Sequence, residues 1–141
     1  MTATLDPSTP AGARALERLD AERMGWLTTD NPDGQPQSSP IWFIWADGVV
    51  TVYSGKRAPR NDNIGDRPLV SFNLNSDAAG GDVVSMEGVA RIDVAASPAS
   101  ADAAFMAKYR SVLDEYGWTA AYYAGEYPVV VRITPTRWRV G

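Results

Sequence analysis

The sequence predicts a mainly β (α+β) domain, a six-stranded antiparallel β-barrel with flanking helices. Three observations carry that expectation. Short apolar runs between Trp26 and Asn75 are separated by the turn signals Asn31-Pro-Asp-Gly34 and Asp47-Gly48, the pattern of hairpin-connected strands. A longer segment then alternates, with Val84, Met86, Gly88, Ala90 and Ile92 on one face and Ser85, Glu87, Val89 and Arg91 on the other. Helical signals lie before the first strand, after the third and between the fifth and sixth.

Taken in order, residues 1–12 suggest a disordered lead, and residues 13–141 a single domain. Ala13 to Met24 carries Leu16 and Leu19 among Arg and Glu, an amphipathic helix that Gly25 stops. Trp26 to Thr29 is the first strand. The second, Pro40-Ile-Trp-Phe-Ile-Trp45, shows no alternation, so both of its faces want burial. One face fills the barrel, and the other must meet another layer or another subunit. Asp47-Gly48 turns the chain into Val49 to Ser54, and the basic turn Gly55-Lys-Arg-Ala-Pro-Arg60 follows. Asn61 to Asp66 reads as a short helix and Leu69 to Asn75 as a fourth strand. After a flexible turn at residues 76–81, Asp82 to Val94 is a long strand with a bend at Gly88. Ser97-Pro98 reads as a cap and first helical position. Beyond it Phe105, Tyr109, Val112 and Tyr116 share one apolar face. A short helix at Thr119 to Ala124 precedes the last strand, Pro128 to Thr134, which runs on toward Val140.

At 141 residues, with 45% apolar and 21% charged content, the chain describes one globular domain. No apolar run approaches the ~20 residues of a membrane span, and the amino terminus lacks the regions of a signal peptide. A cytoplasmic protein is therefore expected. There is no histidine and no cysteine, which removes histidine-based triads, thiolate nucleophiles, disulfides and the usual zinc and haem ligands. No metal site and no catalytic side chain stands out. Redox chemistry here would belong to a bound organic cofactor. Four of the thirteen Lys and Arg residues fall between positions 56 and 67, in a chain of net charge −4. This cluster suggests an anion site at a strand-to-helix junction, and it is too small for a nucleic-acid surface.

Several phrases in this order resemble a known family: Gly25-Trp-Leu-Thr-Thr, Asp33-Gly-Gln-Pro-Gln-Ser-Ser-Pro-Ile-Trp-Phe, Val52-Tyr-Ser, Asn63-Ile with Arg67-Pro68, Gly80-Gly-Asp82 and Arg132-Ile-Thr-Pro-Thr-Arg-Trp. Together they are similar to the pyridoxamine 5'-phosphate oxidase-like superfamily, and within it to the actinobacterial deazaflavin (coenzyme F420)-dependent reductases. The resemblance implies the FMN-binding split barrel, a homodimer, and a cofactor in the groove between subunits. Ser38, Ser39, Pro40, Ile41 and Trp42 would flank the ring, with Tyr53 and Ser54 near ring and phosphodiester. Lys56, Arg57, Arg60 and Asn63 would hold the phosphate, and the region of Trp138 would reach toward the partner subunit's ring. Where relatives favour a basic residue, this chain has Asp62.

The implied function is hydride transfer between reduced F420 and a small electron-poor organic substrate. FMN in the same fold, giving an oxidase or reductase, is the alternative. A non-catalytic flavin- or deazaflavin-binding protein, or an empty barrel acting as a dimeric module, also remains open. Each site residue has a structural counterpart reading. Lys56 and Arg57 also fit a solvated turn, and Arg60 and Arg67 could pair with Asp62 and Asp66. Trp42 and Trp45 fit core or interface, and Trp138 a packing plug.

Overall fold

The computed structural model describes residues 2–141. Its organising feature is a break at Phe43 in the run read as one strand. The chain forms β2 over Pro36–Trp42 and β3 over Ile44–Ala46, so the sheet has seven strands rather than six. The other strands are β1 (Met24–Asp30), β4 (Val49–Ser54), β5 (Leu69–Asn73), β6 (Val84–Ile92) and β7 (Val129–Val140). They pair antiparallel in the order β2-β1-β5-β6-β7-β4-β3. Strands β2 and β3 therefore lie at opposite edges of the sheet, yet a single residue joins them. The sheet has to curl until its edges meet, and the result is a split barrel.

Sequence chemistry explains the local elements. Pro10 opens α1 (Pro10–Ala21), and the Thr9 hydroxyl accepts from the Gly12 N–H at 3.1 Å. This helix begins inside the segment read as a disordered lead, where Ala3 N–H also donates to the Pro135 carbonyl at 2.8 Å. Gly25 does not stop a helix but sits in β1. A Cβ there would lie 2.5 Å from the Phe72 ring, so the glycine makes room for a core aromatic. Asp47 and Gly48 both take positive φ, 54° and 74°, the geometry of a tight hairpin. The register shifts between Glu87 and Gly88, so the bend read at Gly88 is present. Ser97-Pro98 leads only into a short 3₁₀ turn; the cap of α3 (Ala103–Tyr116) is Asp102. Its carboxylate accepts from the N–H groups of Ala104 (3.0 Å) and Phe105 (3.2 Å). Helices α2 (Pro59–Asp66) and α4 (Ala120–Glu126) complete the chain. No helix among the described residues is long and apolar enough to cross a membrane.

Two apolar clusters form. One fills the barrel with Leu27, Ile41, Phe43, Phe72, Met86 and Ile133 among others. The second lies between sheet and helices, around Ile44, Tyr53, Phe105, Tyr109, Leu113 and Tyr123. Of the two partners expected for the second face of residues 40–45, another layer or another subunit, the structure supplies another layer. Ile41, Phe43 and Trp45 turn to the barrel cluster, while Trp42 and Ile44 turn to the helical one. The segment does alternate, between two cores belonging to the same chain. Tyr116, expected on the buried helix face, is 59% exposed.

At the break, Phe43 leaves the ladder, and α3 supplies its hydrogen bonds. The Tyr109 hydroxyl accepts from the Phe43 N–H at 2.9 Å and shares its one proton between the carbonyls of Phe43 (2.8 Å) and Arg23 (2.6 Å). Lys108 Nζ donates to the Phe43 carbonyl at 3.1 Å and lies 3.9 Å from the Phe43 ring centroid. Tyr109→Phe should therefore lower stability by about 1–3 kcal/mol, because buried backbone groups lose their partner; a urea midpoint measures it.

Burial pulls the Lys108 ammonium down from 10.5 to about 8, against the opposing charges of Asp20 and Glu22. Between those two values the unfolded chain holds more protons than the folded one, so stability rises with pH across that window. Burial raises the hydroxyls of Tyr53, Tyr109 and Tyr123 above their usual 10.0, so their contribution is lost as pH climbs past that value. A urea midpoint that rises from pH 8 to pH 10 and then falls is the expected profile, with the rise absent in Lys108→Met.

Candidate functional site

Two cavities meet at one side chain, Arg60. The first, about 310 Å³, is lined by Met24, Pro40, Ile41, Trp42, Tyr53, Tyr116, Trp118, Tyr123, Tyr127 and Arg60. The second, about 360 Å³, is lined by Thr29, Asn31, Gln37, Ser39, Pro59, Asn63 and again Arg60. The first is a slot of aromatic faces and the second a polar trough. They run along edge strand β2 toward the start of α2.

The aromatic walls are set by stacking. Trp42 lies parallel to Tyr109 (centroids 4.7 Å, 7°) and to Tyr123 (5.4 Å, 11°), and Tyr123 stacks on Tyr127 at 4.5 Å. A planar ring entering this slot would meet rings already aligned with one another.

The Arg60 guanidinium is half-buried, and its one protein hydrogen bond goes to the Ser54 hydroxyl at 2.9 Å. No carboxylate pairs with it among the described residues. Burial lowers its proton affinity, and Tyr127 works against that shift. A cation that is partly stripped of water and left without a counter-ion favours an incoming anion. Just ahead, Ala58 gives α2 no side-chain cap. Asn61 donates to the Gly55 carbonyl at 2.9 Å, while its Oδ1 is a buried acceptor with no partner.

The other expected site residues divide. Ser39, Pro40, Ile41, Trp42 and Tyr53 line the cavities, and Ser54 is buried against Arg60. Ser38 is exposed and bonds Thr28 across the hairpin at 2.7 Å. Lys56 Nζ pairs with Glu126 at 2.7 Å, and Arg57 stands exposed. Asn63, 3% exposed, braces the fold: its amide donates to Thr29 (3.1 Å) and Asn31 (3.0 Å), and its carbonyl accepts from Arg67 at 3.2 Å. The Tyr53 hydroxyl donates to Asp102 at 2.6 Å, at the start of α3, whereas the slot reaches Tyr116 at its end. Trp138 lies away from both cavities, edge-on to Trp45 at 5.7 Å, with its N–H 3.3 Å from the Ala3 carbonyl. Asp62 is exposed in the first turn of α2, and Arg67 lies 3.9 Å from Asp66.

Sequence reasoning passed over Met24, Trp118, Tyr123, Tyr127 and Glu126. A signal for the aromatic members was present: five aromatic residues fall between 116 and 127. Nothing local marks Glu126, whose role depends on a residue seventy positions earlier.

Comparison with known proteins agrees with the split-barrel fold. The family model described as pyridoxamine 5'-phosphate oxidase matches residues 12–140. The chain belongs to that family. Among solved structures, a conserved hypothetical protein from Mycobacterium tuberculosis superposes with TM-score 0.73 at 23% identity, covering 99% of this chain and 89% of that one. A protein described as an F420 reductase gives TM-score 0.63 at 20% identity, over 87% of this chain and 94% of that one. The heme storage protein HutZ from Vibrio cholerae gives 0.62 at 16%, over 98% and 95%. At these identities the likeness is one of fold. No curated protein matches the sequence.

Because Asn63 is saturated by internal partners, Asn63→Ala should lower stability by about 1–3 kcal/mol. Anion affinity of the remaining folded protein should change far less than in Arg60→Ala. Parallel thermal melts and ligand titrations separate the two effects.

Proposed function

We propose that this split barrel binds a ring cofactor of the deazaflavin type, coenzyme F420, and serves as an oxidoreductase toward a small electron-poor organic substrate. One observation carries the reading: the uncompensated Arg60 guanidinium stands where an aromatic slot meets a polar trough. A molecule with a planar ring and a phosphate fits both at once. Its ring would lie against Trp42, Tyr123 and Tyr127, with its phosphate on Arg60. When bound, the cofactor supplies hydride transfer. The chain's own residues orient the ring by stacking, exclude water from one of its faces and neutralise its anion.

FMN has the same two parts and is the alternative cofactor. A non-catalytic binding role is a second reading, favoured by the cavity lining. Apart from Arg60 the only ionisable groups there are tyrosines, and the Tyr53 proton is held by Asp102. We further propose a homodimer. The two-sided strand no longer supports it, but Leu69 (70% exposed) and its cross-strand partner Val89 (38%) leave apolar surface on the outer sheet face. Trp138 could serve a cofactor only across such an interface.

Fluorescence-monitored titration with F420 and FMN side by side tests the cofactor. Tighter binding of F420 is expected, and Arg60→Ala should weaken binding by about ten- to a hundredfold with the fold intact. Equal affinity of parent and variant would remove the anion site from Arg60. For the dimer, sedimentation of the parent as a dimer and of Leu69→Lys as a monomer is expected.

A further inference from the structure

One dipeptide, Gly55-Lys56, touches both halves of the candidate site. The Gly55 carbonyl accepts from the Ala58 N–H at 3.1 Å and from the Asn61 amide at 2.9 Å. These bonds fix the start of α2, the helix that carries Arg60. Lys56 holds the end of α4 instead. Its N–H donates to the Glu126 carbonyl at 3.3 Å, and its Nζ lies 2.7 Å from Glu126 Oε2. The next residue, Tyr127, lies over Gly55: a Cβ built on that glycine would meet two of its ring carbons at 3.8 Å. Tyr127 also stacks on Tyr123, so the end of α4 carries two of the rings that wall the slot. Seven residues make too short a helix to fix its own end.

We propose that Lys56 and Glu126 are a positioning pair, a clasp that sets the span between the ring walls on α4 and Arg60 on α2, so that one ligand meets both. The inference rests on the reading that ring and phosphate belong to one cofactor, and it deepens that reading by giving the lysine a different task. By residue type alone Lys56 suits a phosphate. In the structure a carboxylate engages its ammonium, and it lies outside the lining of both cavities. Arg60, with only a hydroxyl for a partner, is the cation left for the anion. A ligand held at two points gains from the second only as far as its distance from the first is already correct. Loosening the clasp therefore leaves each half-site intact and lowers what the two achieve together. The paired side chains are 52% and 39% exposed, so the effect is modest.

The probes are the tighter-binding of F420 and riboflavin 5'-phosphate, and the same ring and chain ending in a free 5'-hydroxyl. The ratio of their dissociation constants, read from ring fluorescence, measures what the phosphate adds. Lys56→Gln combined with Glu126→Gln removes the clasp and leaves the local charge sum unchanged. It should lower the ratio about three- to fivefold, with the alcohol bound as in the parent. Exchanging the residues, Lys56→Glu with Glu126→Lys, re-forms the ion pair and should restore the parent ratio. The exchange puts a carboxylate on the turn, so it cannot rescue a lysine that met the phosphate itself. A ratio that stays low in the exchanged protein therefore overturns the clasp and makes Lys56 an anion ligand. A ratio unchanged in the double glutamine variant overturns it too, and leaves the pair a surface contact. If neither phosphate-bearing probe binds the parent more tightly than its alcohol, or if Arg60→Ala leaves the ratio as it was, the underlying reading falls, and this inference with it.

Discussion

The fold hangs on the backbone of one residue. Phe43 connects strands at opposite edges of a seven-stranded sheet, so its amide and carbonyl lie outside any ladder, in an interior where unpaired peptide groups are expensive. Tyr109 and Lys108 of α3 satisfy both groups. Closure of the barrel and docking of α3 are thus one event. The bend needs the helix for its hydrogen bonds, and the helix uses the bend to satisfy a buried phenol. Lys108 accepts a lowered proton affinity for its place over the Phe43 ring.

That closure also builds the candidate site. Once the bend fixes Phe43 toward the barrel, Trp42 must point the other way, against Tyr109. Tyr123 stacks on Trp42 as well, and Tyr127 on Tyr123. The slot is therefore walled by members of one aromatic cluster that also contains the phenol bridging the break. Ring orientation in the cavity follows from the packing that holds the barrel shut.

Charge in the site is arranged by exclusion. Lys56 meets Glu126, Arg67 meets the Asp30 carbonyl and Asn63, and Arg57 faces water. Only Arg60 is held where burial raises the cost of its charge and no carboxylate lowers it. Asp62, the departure that stood out in the sequence, is an exposed residue in the first turn of α2, where a carboxylate suits the helix dipole. The acidic residue that does meet the basic cluster comes from α4.

The sequence by itself determined what depends on neighbours in the chain. Hairpin turns at Asn31–Gly34 and Asp47–Gly48, alternation along β6, the bend at Gly88 and a basic turn ahead of α2 are local in origin, because turn chemistry and side-chain period act over a few residues. Tertiary structure decided which faces are interior and which charges are free. Residues 40–45 read as having two buried faces, and that was true. Only the packing of α3 showed that the second face belongs to the same chain. Likewise Lys56 and Arg60 are equivalent as letters. One is neutralised and the other is not, because Glu126 arrives beside the first through seventy residues of intervening fold. Burial and counter-ion pairing are set by residues distant in sequence, and no local pattern encodes them.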